Sequence, residues 1–193
     1  LDIQAFVDDG TIDLSKFGDA IIETGKYEDT LYMVSMGITF TCYIVNNELA
    51  EQYGVTLPAY DEDWTWDQFN EEAAKFVDAA AGNDIYFSGS SSGDINSFRW
   101  AAREAGGDNY TEDGQLGFEA QTMIDWLDMW SALSESGAVP DAATSSEDGA
   151  VALEQRLFTQ GKMVLYNVPV NQLWLYADAM PDNNITAVRI PVV

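Results

Sequence analysis

A chain with 33 acidic side chains, 8 basic ones and no histidine must fold against the self-repulsion of a net charge of −25. Only a substantial apolar core can outweigh that repulsion. The sequence supplies one: 47% of the residues are hydrophobic, with six Trp, nine Tyr and nine Phe, so charge-driven disorder is excluded. Its 193 residues fit one domain or a little more. The charge balance also excludes classes of partner. Eight cations cannot supply the field that displaces phosphate counterions, so nucleic acid is ruled out, and a polybasic grip on an anionic membrane fails likewise. Cys42 is the lone cysteine, which removes an internal disulfide, a multi-cysteine metal site and a C-x-x-C redox pair. Without histidine the usual general base, the Ser-His and Cys-His nucleophiles and most zinc sites are missing too. No run approaches the ~18 consecutive apolar residues of a membrane span. No cofactor is expected.

Helical and strand periodicities alternate along the chain, which argues for an α/β fold with open, partly parallel strands. Residues 1–25 read as two short helices, the second capped by Ser15 or Asp19. Leu31 to Val45 is rich in β-branched and aromatic residues and reads as two strands or one bent strand. Asn46 is an N-cap candidate for a short helix ending at Gly54. The clearest helix start is the capping box Thr65-Trp66-Asp67-Gln68, followed by Phe69, Ala73, Phe76, Val77 and Ala80 at helical spacing and a stop at Gly82. Ile85 to Phe87 reads as a strand, Ser88 to Gly93 as a mobile loop, and Ile95 to Ala105 as a helix broken by Gly106-Gly107. The longest helix is placed from about Phe118 to Leu133, with Met123, Ile124, Leu127 and Trp130 on its inner side and Asp125 and Asp128 outward. Asp141 to Gly149 reads as a polar linker, Ala150 to Phe158 as a helix, Met163 to Tyr166 as a buried strand, and Pro169 as the first turn of a helix through about Ala179. Ile185 to Pro191 closes the chain as a strand.

Chemistry-bearing constellations are few. With Gly114 as the sixth residue of a calcium loop, Thr111 takes the third position and Ala120 the twelfth. Ala120 has no side-chain oxygen, so a solvated acidic turn is the better reading. Among 33 acids some pair must lie close by chance, and no local motif marks a general acid and its partner. Sugars present flat C–H faces that pack on aromatic rings, and hydroxyls that need amide, carboxylate or guanidinium partners. Three places combine both: Thr39-Phe40, Ser97-Phe98-Arg99-Trp100 after the Ser/Gly loop, and Asn171-Gln172 with Trp174. Trp66, Trp126 and Trp130 are assigned to the core. Arg99 and Arg103 share one helix face; pairing with nearby acids is the better reading for Arg103, while Arg99 follows a loop beside aromatics and is a ligand candidate.

The order of these segments resembles the family 1 extracellular solute-binding proteins, the maltose-binding-protein-like components of carbohydrate ABC importers. The motifs are Leu31-Tyr32-Met33-Val34-Ser35-Met36-Gly37, then Tyr43 to Leu49, Tyr53-Gly54-Val55-Thr56-Leu57-Pro58 and Trp64-Thr65-Trp66-Asp67-Gln68-Phe69. The opening Leu1-Asp2-Ile3 with Phe6-Val7, the stretch Gly106-Gly107 with Glu112-Asp113-Gly114, and Phe158-Thr159-Gln160-Gly161-Lys162-Met163-Val164-Leu165 extend the likeness over the whole chain. Ser35 replaces a usual Pro, Val45-Asn46-Asn47 replaces a Y-N-K pattern, and Asn171 stands where a ligand-stacking Trp is frequent, leaving Trp174 to substitute. The resemblance implies a type II periplasmic-binding-protein fold present as a fragment: residues 1–38 as the end of the first lobe and crossover strand, 39–193 as most of the second α/β lobe. It implies capture of a carbohydrate, an oligosaccharide by preference, between lobes for delivery to membrane permease subunits, with no bond chemistry. The ligand contacts it carries over are Thr39, Phe40, Ser97, Phe98, Arg99, Asn171, Gln172 and Trp174. It further implies an extracellular location, lipid-anchored at the cell surface or periplasmic, a signal peptide encoded before Leu1, and self-association of the fragment through uncovered apolar surface. A carbohydrate-active hydrolase and a surface adhesion module without a small-molecule ligand are the competing readings.

Overall fold

The computed structural model describes residues 2–37, 39–182 and 184–192, which fall into two compact units, 1–39 and 40–193.

The first unit holds helices α1 (Gln4–Asp8) and α2 (Asp19–Glu23) and a hairpin of β1 (Lys26–Tyr27) with β2 (Thr30–Leu31). Glu28 and Asp29 take φ of 47° and 64° between the strands, the left-handed pair that a two-residue hairpin turn requires. Gly25 is obligatory for a different reason. A Cβ there would lie 2.0 Å from the Met33 carbonyl oxygen, because Tyr32 and Met33 both donate backbone N–H to the Gly25 carbonyl. The N-cap of α2 is Gly18, without a side-chain bond, rather than Ser15 or Asp19; Asp19 sits in the first turn, and the Ser15 amide is taken by Asp13. Of the two strands or one bent strand expected from Leu31 to Val45, two separate strands form, one ending at Leu31 and the next beginning at Thr41. Only Leu31 pairs at the start of this stretch, and residues 32–37 have no regular partner.

The second unit is built on a four-stranded mixed sheet. Its strands are β3 (Thr41–Asn46), β4 (Tyr86–Ser88), β5 (Met163–Pro169) and β6 (Ile185–Val188), in the spatial order β4-β5-β3-β6. β4 and β5 run parallel, while β3 is antiparallel to both β5 and β6. Residues Cys42 to Asn46 of β3 are all buried, as an inner strand covered on both faces demands. Tyr43 and Val45 face the larger core with Phe69, Phe76, Phe98, Trp126 and Trp130; Cys42 and Ile44 face a smaller one with Phe158, Met163, Tyr176 and Met180.

Helices α3 (Asn47–Gln52), α4 (Trp66–Ala79), α5 (Ile95–Glu104), α6 (Ala120–Glu135), α7 (Ala142–Ala150) and α8 (Leu173–Ala179) complete the unit. The local signals hold where they are strong. The Asn46 side chain accepts from the Leu49 amide, Gly54 takes φ 68° just beyond α3, and the Thr65/Gln68 capping box is closed in both directions. Phe69 is the centre of the larger core, with ring centroids 5.0 Å from Phe87, 5.5 Å from Trp66, 5.6 Å from Trp64 and 5.7 Å from Tyr43.

Three expectations are overturned. The supposed linker Asp141–Gly149 is mostly helix α7, started by the Asp141 carboxylate accepting from the Thr144 amide; its lack of apolar spacing concealed it, because it buries no side chain. The expected helix from Ala150 to Phe158 shrinks to a 3₁₀ turn at Leu153–Gln155, where Asp148 accepts from the Leu157 amide and Arg156 donates to the Gly149 carbonyl. Pro169 ends β5 instead of starting a helix; a 3₁₀ turn at Val170–Gln172 separates it from α8. In addition, α6 is rotated from its expected setting: Trp126, Trp130 and Leu133 are buried, whereas Ile124 and Leu127 are exposed. Two indoles four residues apart bury more apolar area than Ile and Leu, so they decide which side turns inward.

Candidate functional site

Parallel β4 and β5 both end at the same edge of the sheet, and antiparallel β3 begins there, with Thr41 opposite Pro169. Crevices outside the carboxyl ends of strands are where open α/β sheets hold ligands. Four pieces of chain meet at this edge. Phe40 precedes β3, and its carbonyl accepts from the Val170 amide at 2.7 Å, which brings it beside the 3₁₀ turn carrying Asn171 and Gln172. Trp174 follows in the first turn of α8, and the loop 88–94 leaves β4. Phe40 and Trp174 are 63% and 65% exposed, so both rings have faces open for stacking.

The loop after β4 is tied down, contrary to the expected mobile segment. Gly89 donates to the Leu165 carbonyl at 3.1 Å, and the Trp126 indole donates to the Ser92 carbonyl at 3.2 Å. Asn167 on β5 makes the decisive tether: its amide nitrogen donates to the hydroxyls of Ser91 at 3.1 Å and Ser97 at 2.9 Å. Ser97 in turn donates to Asp94 at 2.7 Å, and Asp94 caps α5 through the Asn96 amide at 3.0 Å. Asn167, which is half-buried, was missed in the sequence, although an amide within the otherwise apolar run from Met163 to Val168 is a readable signal, since a polar group drawn out of water needs partners.

The sequence-derived contacts therefore separate. Phe40, Asn171, Gln172 and Trp174 gather near the strand-end edge; Thr39 belongs to the first unit and is exposed. Ser97, Phe98 and Arg99 do not belong with them. Ser97 is fully buried and its hydroxyl is used in the Asn167–Asp94 network. Phe98 is 2% exposed and packs edge-on to Phe118 at 4.7 Å, which makes it core. Arg99 forms a two-pronged bond to Asp108, at 2.6 and 2.9 Å, and Arg103 joins the same carboxylate at 3.1 Å. Cations are scarce in this chain, and these two are spent on holding the turn after α5.

Arg99 holds the Asp108 carboxyl well below the usual carboxylate range, helped by the Asn109 amide. Asp9, Asp13 and Asp141 are lowered as well, by hydrogen bonds from Thr11, Ser15 and Thr144. A glycosidase acid needs the opposite, a carboxyl raised by apolar surroundings. Burial pushes the Tyr176 phenol up to about 12. Among the described residues no group of His, Cys, Asp and Glu side chains is placed to hold a metal, and no helix is long and apolar enough to cross a membrane. The acidic stretch at Asp113-Gly114 is a hairpin turn, with Tyr110 bridged to Leu116 and Thr111 donating to Asp113.

No protein-family model matches the chain. Solved structures match its fold along nearly all its length. An ABC substrate-binding protein from Listeria monocytogenes in complex with cycloalternan superposes with a TM-score of 0.78 at 20% identity, covering 97% of this chain and 46% of that one. A family 1 extracellular solute-binding protein from Alicyclobacillus acidocaldarius gives 0.74 at 19% identity, covering 98% and 48%. Maltose-bound MalE3 of T. maritima gives 0.70 at 18% identity, covering 100% and 48%. The chain spans about half the length of the structures it matches, and its mixed α/β fold is that of one half of an extracellular solute-binding protein.

Proposed function

We propose that this chain is part of the substrate-binding component of an ABC importer, which captures a carbohydrate, an oligosaccharide by preference, between the lobes of the complete protein and delivers it to the membrane permease. It binds and releases, and makes or breaks no bond. The supporting observation is the fold match along nearly the whole chain, joined to a strand-end edge that carries exposed aromatic rings and side-chain amides. Cycloalternan and maltose, named with two of the matched structures, are both saccharides. In this reading Phe40 and Trp174 stack on sugar C–H faces, Asn171 and Gln172 bond hydroxyls, and Thr39 is a further contact. The working place is outside the cell membrane, periplasmic or lipid-anchored at the surface. Self-association belongs to the same reading, because the first unit leaves Met33 66% and Met36 fully exposed; sedimentation that shows only monomer at high concentration removes it.

Calorimetric titration with maltose, maltotriose and cycloalternan tests the proposal. Saccharide binding that Trp174→Ala weakens by about 1–3 kcal/mol, without loss of thermal stability, supports it. Turnover of a glycoside, or no saccharide binding by this chain and by the longer protein, overturns it.

A further inference from the structure

The loop 88–94, α6 and α7 enclose a groove of about 780 Å³, within the range of small-molecule sites. Six serines line it, contributed by all three segments: Ser90 and Ser92 from the loop, Ser131 and Ser134 from α6, Ser145 and Ser146 from α7. Ser90 donates to Ser92 at 3.0 Å and Ser145 to the Pro140 carbonyl at 3.3 Å, which leaves those hydroxyls as acceptors. A hydroxyl can both donate and accept, so the lining suits a ligand whose groups do the same.

Charge narrows the class. No Lys or Arg lines the groove, and the two helices that begin beside it, α5 and α7, already have carboxylate caps in Asp94 and Asp141. A helix start that would otherwise attract an anion is thereby filled, within a chain of net charge −25. Asp94 is the charged side chain in the lining, and its two oxygens accept from the Asn96 amide and the Ser97 hydroxyl, which holds the carboxylate against the start of α5. The apolar part of the wall is Leu127, 47% exposed, with Pro140, a surface for C–H groups. Two further observations describe the walls of the groove. Helix α7 buries none of its side chains, so its serines are not required by the core. Trp130 forms the floor of the groove, 1% exposed, with its indole N–H buried beneath the lining.

We propose that this groove binds one ring of a saccharide, or another neutral polyol, as a site beyond the strand-end edge with which it shares the loop. It extends the carbohydrate reading, yet stands apart from it because its residues are different.

The test is amide chemical-shift mapping of this chain with glucose alone at millimolar concentration, with sodium sulfate as the anion control. Glucose is expected to shift the amides of Ser90, Ser92, Ser131, Ser134 and Ser145, and sulfate to leave them unmoved. Ser131→Trp, at an exposed helical position, fills the groove and should weaken those shifts roughly tenfold or more. Ser146→Tyr does the same from the opposite wall if the first variant does not fold. Shifts confined to Phe40 and residues 170–174 overturn the groove and leave the carbohydrate reading standing. Shifts in the groove with a silent edge uphold it and count against the edge. Equal response to sulfate, persistence in both folded variants, or no shift anywhere overturns it.

Discussion

Phe98 follows a Ser/Gly loop and precedes Arg99 and Trp100, a setting that suggests a ligand contact, but its ring lies edge-on to Phe118 and 6.3 Å from Trp126. Phe98→Ala should therefore cost about 3–5 kcal/mol in urea unfolding, the range for emptying a buried aromatic site, and leave saccharide affinity of the folded protein unchanged. Lost affinity at unchanged stability would return the ring to the ligand surface. Asp108 makes a second residue-level prediction. Its carboxyl is held below the ordinary value of about 3.9 by Arg99, so its contribution is complete above that value and is lost as pH falls toward the lower folded value. Asp108→Asn should melt earlier than the parent at neutral pH, and the difference should shrink below about pH 4 and in high salt. A gap that widens in acid contradicts the assignment. Scarcity made Arg99 conspicuous in the sequence. Only the geometry shows that Asp108 occupies it.

Elements with strong local signals form where those signals lie. The Thr65/Gln68 box and the Asn46 cap involve groups three residues apart, so neighbouring sequence contains all the parts. Helix α7 has a cap of the same kind in Asp141, but no apolar face to accompany it, and without that periodicity it reads as linker. The loop 88–94 depends on a remote strand. Asn167 reaches Ser91 and Ser97 across 76 and 70 residues of chain. Replacing Asn167 by Ala removes both bonds, worth together about 1–3 kcal/mol of local stability. Amide hydrogen exchange at Ser90 to Gly93 should accelerate correspondingly, with little change at α4. Unchanged exchange at the loop would assign the tether to Trp126 and Gly89 instead.

At the scale of the molecule, this chain spans about half the length of the structures it matches. If the rest of the protein supplies the opposing ligand surface, maltotriose should bind this chain at millimolar concentration or more weakly, about −4 kcal/mol, and far more tightly to the longer protein. Equal, tight affinity in calorimetry would show that the second unit alone carries the ligand surface. The sequence by itself determined what depends on composition and on near neighbours. An apolar content of 47% secures a core despite the charge, the absence of histidine and paired cysteine removes most catalytic chemistry, and caps and periodicities place α3 to α6. Tertiary structure decided everything that required a choice between residues of similar kind. Trp126 and Trp130 turned α6 so that Leu127 faces the groove, the core took Phe98, and Asn167 found its serines. Those outcomes follow from which surfaces meet when distant segments pack; an amide in an apolar run signals that a partner is needed, but local spacing does not say which residue supplies it.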